Sequence, residues 1–161
     1  MTPKVNPRPQ GYHTVTPSIV VQEGAKALEF YRKAFGAEET VRMPGPDGNI
    51  MHAEFRIGDS VIMLSDEMPE MGAKSPKAYG GSPVKFYVYV EDVDAAWKRA
   101  LDAGAKPVVP LQDMFWGDRL GCVEDPFGHA WNLAQHVADP TPEEMQKGQE
   151  AFFSGFHQTA S

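Results

Sequence analysis

Apolar and polar positions alternate along the chain in two ways, and together they predict one unit that occurs twice. Stretches with a period of two residues predict strands, and stretches with a period of 3.6 residues predict helices. A strand over 16–21 precedes a helix over 24–35, and a strand over 85–90 precedes a helix over 93–103. Residue 16 thus corresponds to residue 85, an offset of 69 residues. A constant offset between element types indicates an internal repeat.

Three further strands follow each helix, because the period of two returns after each of them. Gly36 and Gly104 are suited to end the two helices, and Asp92 is a plausible N-cap for the second. Turn sequences such as "PGPDGN" and "DPFG" separate the strands. Each half is therefore predicted to be a βαβββ module. The predicted strands are 38–43, 50–57 and 60–65 in the first half, and 106–112, 119–124 and 130–136 in the second.

The C-terminal region has a different pattern, with a capping box at Thr141 and Glu144 ahead of a predicted helix over 142–153. This helix is expected to dock on its own domain, with a dimer partner as the alternative. The predicted segments are a flexible arm over 1–12, a first module over 13–70, a linker over 71–83, a second module over 84–138, and a C-terminal helix and tail over 139–161.

The strands have one apolar face and one mixed face, which follows from their alternation. A mixed face is either solvated or folded around a cavity, and Met63, Tyr87 and Tyr89 are poor residues for a solvated surface. The pattern therefore favours an α+β protein whose two mixed sheets curl around a cavity. The mixed face comprises Thr16, Ser18, His52, Glu54, Arg56, Met63, Ser65, Lys85, Tyr87, Tyr89 and Asn132.

The composition of the chain argues against some binding partners and indicates the cellular compartment. The formal net charge of −7 argues against a nucleic-acid-binding surface, which needs a basic excess. No apolar run is long enough to span a bilayer, and residues 1–11 lack the apolar core of a signal peptide. Cys122 is the only cysteine, so neither an internal disulfide nor a thiolate cluster can form. A cytoplasmic location is expected.

Two clusters of polar side chains are candidate sites. His52 and Glu54 lie two residues apart on one strand, so they could form an acid–base pair, half of a metal site, or a structural salt bridge. In "FWGDR", Trp116 could stack on a planar ligand while Arg119 binds its anionic group. The alternative is a structural hairpin in which Asp118 and Arg119 form an ion pair.

The chain resembles the vicinal oxygen chelate superfamily over about residues 13–137. Three features carry this resemblance: the paired modules, the run "ALEFYRKAFGAEE" after the first strand, and "DPFGHAWNLAQH" at the end of the second module. This group includes glyoxalase I, extradiol dioxygenases and bleomycin-resistance proteins, and the likeness is closest to its PhnB-like branch. The resemblance implies two modules around a deep cavity, with four metal ligands on the first and last strands of the modules. The corresponding positions here are Thr16, Met63, Lys85 and Asn132, which are poor ligands for a divalent metal.

The sequence is compatible with two functions. The first is a metal-independent protein that binds an aromatic or cationic small molecule, similar to bleomycin-resistance proteins that act by sequestration. Its expected ligand-binding residues are the four positions above together with Tyr87, Tyr89, Trp116 and Arg119. The second is a lyase, isomerase or dioxygenase that uses a relocated divalent metal or the His52–Glu54 pair. The resemblance also implies a homodimer, in which the modules pair either within the chain or across the two subunits.

Overall fold

The computed structural model describes residues 5–158 and contains two βαβββ modules followed by a helix. Short 3-10 turns lie at Pro46–Gly48 and Pro69–Met71. The elements are β1 (Ser18–Val21), α1 (Gly24–Phe35), β2 (Glu38–Pro44), β3 (Ile50–Ile57), β4 (Ser60–Asp66), α2 (Pro76–Tyr79), β5 (Lys85–Tyr89), α3 (Val93–Ala103), β6 (Lys106–Asp113), β7 (Asp118–Glu124), β8 (Ala130–His136) and α4 (Pro142–Gln158).

Each module forms a mixed four-stranded sheet, which confirms the predicted α+β fold. The strand orders are β1-β4-β3-β2 and β5-β8-β7-β6. In both sheets the first strand lies parallel to the last strand of its module, and the other pairs are antiparallel. Ser18 lies opposite Met63, and Tyr87 lies opposite Asn132. Both members of the second pair are offset by 69 residues from the first pair, so the internal repeat is confirmed at the level of single residues.

The two central helices begin and end at the predicted residues, and local signals mark three of their four ends. The Asp92 carboxylate accepts a hydrogen bond of 2.9 Å from the backbone N–H of Ala95. Gly36 and Gly104 follow the helices with φ angles of 67° and 113°, a conformation that glycine adopts without steric cost. The start of α1 is the exception, since the Gly24 N–H donates instead to the carboxylate of Asp66 at the end of β4, at 2.7 Å.

The modules share one core, which is built from the helices and the apolar faces of the sheets. The rings of Tyr31 and Phe35, on α1, lie 5.4 and 4.7 Å from the ring of Trp131, on β8. The buried Asp125 carboxylate also accepts a hydrogen bond of 2.8 Å from the Tyr31 hydroxyl. His129 is buried as well, with Nε2 3.0 Å from the carbonyl oxygen of Val20. The second module is thus fixed to the first by both packing and polar contacts.

Several strand ends differ from the prediction by one residue, and the larger differences lie at β1, α4 and the linker. β1 begins at Ser18 rather than at residue 16, because Pro17 has no N–H to donate to a sheet. α4 extends to Gln158, five residues beyond the predicted end. Its predicted capping box is confirmed, since the Thr141 N–H donates to the Glu144 carboxylate and the Glu144 N–H donates to the Thr141 hydroxyl. The predicted linker contains the short helix α2. Residues 1–4 of the predicted arm and 159–161 of the predicted tail lie outside the described residues.

None of the helices in the described part of the chain is long and apolar enough to cross a membrane.

Candidate functional site

A cleft with a volume of about 870 Å³ lies between the modules. On one side it is bounded by the turn between β3 and β4 and by residues 13–17, and on the other by β5 and the start of α3. Three aromatic residues of the shared core, Phe35, Phe86 and Trp131, contribute to its lining. Thr16, Tyr87 and Tyr89 also line it, so the structure brings together three of the residues that were predicted to bind a ligand.

The charged groups around this cleft are mainly acidic. Asp59, Glu91 and Asp92 contribute carboxylates to its lining, whereas Arg99 contributes the one guanidinium. The Arg99 Nε donates a hydrogen bond of 3.0 Å to the carbonyl oxygen of Ala34, which holds that side chain against α1. The excess of carboxylates favours a cationic ligand over an anionic one.

Beside the cleft, four side chains donate hydrogen bonds to a single buried carboxylate, that of Asp118. The Tyr87 hydroxyl, the Tyr89 hydroxyl and the Trp116 indole N–H lie 3.2, 3.0 and 3.2 Å from Oδ2. Nδ1 of His136 lies 2.9 Å from Oδ1. Asp118 is 4% exposed, whereas the Tyr87 and Tyr89 residues are 42% and 62% exposed. A buried anion therefore fixes the hydroxyl ends of two tyrosines whose rings remain accessible.

The ionisation of this cluster follows from its contacts. Burial opposes the charged form of Asp118, but the hydrogen bonds from His136, Tyr89, Tyr87 and Trp116 outweigh it and lower the pKa of the carboxyl group. Burial is also the largest influence on Tyr87, and it raises the pKa of that phenol to about 12. At neutral pH the cluster therefore contains a carboxylate and neutral phenols that donate to it.

His52 and Glu54 form a second cluster, on the mixed face of the first sheet. Nε2 of His52 lies 3.0 Å from Oε1 of Glu54, and the Tyr12 hydroxyl donates to Oε2. The bond from Tyr12 lowers the pKa of Glu54, burial opposes this shift, and the bond to His52 adds to it. A carboxylate with a lowered pKa is a weaker base, so the arrangement resembles a structural pair more than an activated general base.

A second cavity of about 660 Å³ lies beside this pair, under the N-terminal segment 6–16. Thr16, Met63 and Glu54 contribute to its lining, together with Tyr12 from the segment itself. Tyr12 was not among the residues predicted from the sequence. A turn signal was present at Gly11, which has a φ of 86°, but the pattern gave no indication that the following side chain reaches β3.

The residues at the superfamily's metal positions do not fit a divalent metal. The strand register pairs Met63 with Ser18 and Asn132 with Tyr87, and the predicted first-strand positions, Thr16 and Lys85, lie two residues before these partners. The thioether, hydroxyl, ammonium and amide groups at the four predicted positions are weak ligands for such an ion. Within residues 5–158, no group of three or more His, Cys, Asp or Glu side chains could hold a metal.

Arg119 points to the opposite face of β7 from its neighbour Asp118, to which Trp116 donates, because adjacent residues of a strand point to opposite faces. Its guanidinium donates to Asp94 at 2.8 and 3.0 Å and to Asp113 at 3.2 Å. The predicted ion pair between Asp118 and Arg119 is therefore wrong, and Arg119 lies away from the aromatic cluster. Asp118 lies directly opposite His136 in the register of β7 and β8, and this pairing brings the imidazole to the Asp118 carboxylate.

The remaining predicted residues lie beside the cluster rather than in the cleft. Lys85 is exposed and lies two residues before Tyr87 on the same strand. Asn132 is half-buried and lies opposite Tyr87 on β8. Cys122 lies opposite Asn132 on β7, and burial raises the pKa of its thiol, which makes it a poor nucleophile.

Two curled βαβββ modules with an aromatic cleft between them define the class of protein. The model of the Glyoxalase/Bleomycin resistance protein/Dioxygenase superfamily matches residues 12–133, and the chain belongs to this superfamily.

Relatives and solved structures agree with this assignment. An uncharacterized protein of Mycobacterium tuberculosis H37Rv is 49% identical over 135 residues, which are 82% of this chain and 79% of the relative. TioX from Micromonospora sp. ML1 has a TM-score of 0.60 at 28% identity, and the match covers 80% of this chain and 100% of that one. The PhnB protein from Bacillus cereus has the same fold, with a TM-score of 0.59 at 17% identity, covering 76% of this chain and 99% of that one.

Proposed function

We propose that the protein binds an aromatic, cationic small molecule reversibly in the cleft between its modules, without a metal, and that it acts by sequestration. The observation that carries this proposal is a cleft of about 870 Å³ with an acidic border, whose lining includes the exposed residues Tyr87 and Tyr89 of β5. Ligand pockets for small molecules typically enclose about 300–1,000 Å³. Reversible binding requires no catalytic group, which agrees with the poor metal ligands at the family positions.

The expected binding energy comes mainly from stacking and charge. An aromatic pair contributes about 0.5–1.5 kcal/mol beyond the area that it buries. The ring centroids of Tyr87 and Tyr89 are 5.2 Å apart with an interplanar angle of 41°, so a planar ligand can stack on one ring and contact the edge of the other. The carboxylates of Asp59 and Glu91 then favour a ligand with a positive charge.

Removal of the Tyr89 ring is expected to weaken ligand binding. We expect Tyr89→Leu to raise the Kd of proflavine, a planar cation, about fivefold or more, because one stacking surface is lost. Fluorescence titration of proflavine with purified protein measures this change. Tyr79→Leu is the matched control, since Tyr79 is 69% exposed, lies on α2 and does not line the cleft.

The control variant should bind proflavine as the wild type does. Equal Kd values for the wild type and Tyr89→Leu would show that the dye does not use this cleft. Tighter binding of 2-anthracenesulfonate, a planar anion, than of proflavine would contradict the assigned charge preference.

A second candidate function rests on the His52–Glu54 pair. Because the pair lies beside the second cavity, it supports an enzyme of the same superfamily, a lyase, isomerase or dioxygenase that uses acid–base chemistry or a relocated metal. Such an enzyme would depend on Glu54 or on a divalent ion, whereas binding in the cleft would depend on neither. The two candidates therefore make opposite predictions for the same variant.

A homodimer in the cytoplasm is part of the proposal. Exposed apolar side chains of the edge strand β6, Val108 and Val109, favour association with a second copy. The single cysteine, Cys122, is buried as a free thiol, which suits a reducing compartment. The net charge of −7 disfavours a nucleic-acid partner.

A further inference from the structure

Three aromatic side chains on two different elements converge on one oxygen atom. Tyr87 and Tyr89 come from β5, Trp116 comes from the loop before β7, and all three donate to Oδ2 of Asp118 at 3.0–3.2 Å. The structural carboxylate of Asp125 also accepts hydrogen bonds from a tyrosine and a tryptophan, but Tyr31 and Trp131 are fully buried. Tyr87 and Tyr89, in contrast, are 42% and 62% exposed although their hydroxyls donate to a buried carboxylate.

Aromatic faces of this kind attract cations. The face of a tyrosine or tryptophan ring carries negative potential, and an ammonium group within about 6 Å of the ring centroid is attracted to it. A phenol that donates to a carboxylate is polarised toward the anion, which makes its ring more electron-rich. Asp118 therefore strengthens the attraction of both tyrosine rings for a cation without being exposed to it.

The surrounding charges leave this negative potential in place. Arg119, the neighbouring cation in the sequence, is on the opposite face and is bound by Asp94 and Asp113. The hydrogen bonds to Asp139 and Asp118 raise the pKa of His136, which favours its imidazolium form, and the Asp139 carboxylate, 2.9 Å from the second ring nitrogen, offsets that positive charge. Lys85 lies on the mixed face four residues before Tyr89, so a bound cation is expected at the Tyr89 end, away from this ammonium group.

We propose that Tyr87, Tyr89 and Trp116, oriented by Asp118, form a subsite for a quaternary or alkylated ammonium group. This inference rests on the proposed function, because it assigns the chemistry of the cationic part of a ligand bound in the cleft. Asp118 is a positioning residue here: its contacts with ligand are indirect, through the rings that it holds.

Choline and its neutral isostere test the subsite. Choline carries a trimethylammonium group, and 3,3-dimethylbutan-1-ol has the same shape with a carbon in place of the nitrogen. We expect choline to bind at least about fivefold more tightly than the alcohol, because the alcohol lacks the charge that the rings attract. Titrations followed by NMR chemical shifts of the protein measure both affinities, including weak ones.

Three variants separate the roles of ring, hydroxyl and carboxylate. Tyr89→Leu removes the ring and should raise the Kd of choline at least about threefold, with little effect on the Kd of the alcohol. Tyr89→Phe keeps the ring but loses the bond to Asp118, so a smaller loss is expected. Asp118→Asn keeps the shape and removes the charge, and it should reduce the preference for choline over the alcohol. Tyr79→Leu should match the wild type in both titrations.

Equal affinities for choline and the alcohol, or an unchanged preference in Tyr89→Leu, would overturn the subsite. If Asp118→Asn fails to fold, the Tyr89→Phe and Tyr89→Leu pair still decides the result, because both tyrosine substitutions are at an exposed side chain. If choline fails to bind while proflavine binds in a Tyr89-dependent manner, the subsite is wrong and the proposed function stands. If neither compound binds, both proposals are wrong.

Discussion

Asp125→Ala is expected to lower the free energy of unfolding by about 4 kcal/mol, because it leaves several buried donors without an acceptor. The carboxylate is 2% exposed. Oδ2 accepts hydrogen bonds from the Tyr31 hydroxyl at 2.8 Å and the Trp131 indole N–H at 2.9 Å. Oδ1 accepts from the backbone N–H groups of Phe127 and His129, each at 2.9 Å. The residue thus closes the "DPFG" turn and joins β8 to α1 of the other module.

Urea denaturation followed by tryptophan fluorescence measures this change. Asp125→Asn keeps the shape but retains one acceptor oxygen, so a smaller loss, about 2 kcal/mol, is expected. Asp102→Asn is the control: its side chain is exposed and pairs with Lys98, and it should change the stability by less than about 0.5 kcal/mol. A loss at Asp125→Ala no larger than at Asp102→Asn would show that this network does not hold the modules together.

Gly117→Ala is expected to destabilise the protein by about 3 kcal/mol or more, because two costs combine at this position. The φ angle is +95°, which L side chains rarely adopt. An added Cβ would also overlap the carbonyl oxygen of Ala138 and lie 2.9 Å from Cδ of Pro140. Gly117 lies between Trp116 and Asp118, so a shift of this loop also separates the indole from the carboxylate.

The control for this variant isolates the backbone cost. Gly80 has a φ of +76°, but a Cβ there meets nothing within 4 Å, so Gly80→Ala should cost only about 1–2 kcal/mol. Thermal unfolding of the two variants gives the comparison, and choline titration of Gly117→Ala reports on the loop. Equal melting temperatures would contradict the close approach of Gly117 to Ala138.

The fold was predictable because its determinants are local in the sequence. Alternation gave the strands and their faces, Gly36 and Gly104 gave the helix ends, and the offset of 69 residues gave the duplicated module. The missing N–H of Pro17 explains why β1 starts two residues later than predicted. Such signals act within a few residues of the element that they define.

The site was predictable only in part, because its contacts join residues that are distant in the sequence. Tyr87 and Tyr89 were predicted to bind a ligand in a cavity; both contribute to the lining of the cleft, and their role in binding stays a prediction. Their partner Asp118 lies about thirty residues away, and its role depends on the direction of one side chain at the start of β7. Tyr12 reaches Glu54 from an irregular segment, for which sequence periodicity gives no information.

Metal-independent binding is tested most directly by calorimetric titration of proflavine into protein before and after dialysis against EDTA, with the wild type and Glu54→Gln in parallel. Metal-independent binding in the cleft predicts the same Kd, within about twofold, for all four samples, since neither Glu54 nor an ion contributes to it. Binding that disappears after EDTA treatment, returns with Zn²⁺, Mn²⁺, Ni²⁺ or Fe²⁺, and is absent in Glu54→Gln would contradict metal-independent binding and favour the metal-dependent enzyme.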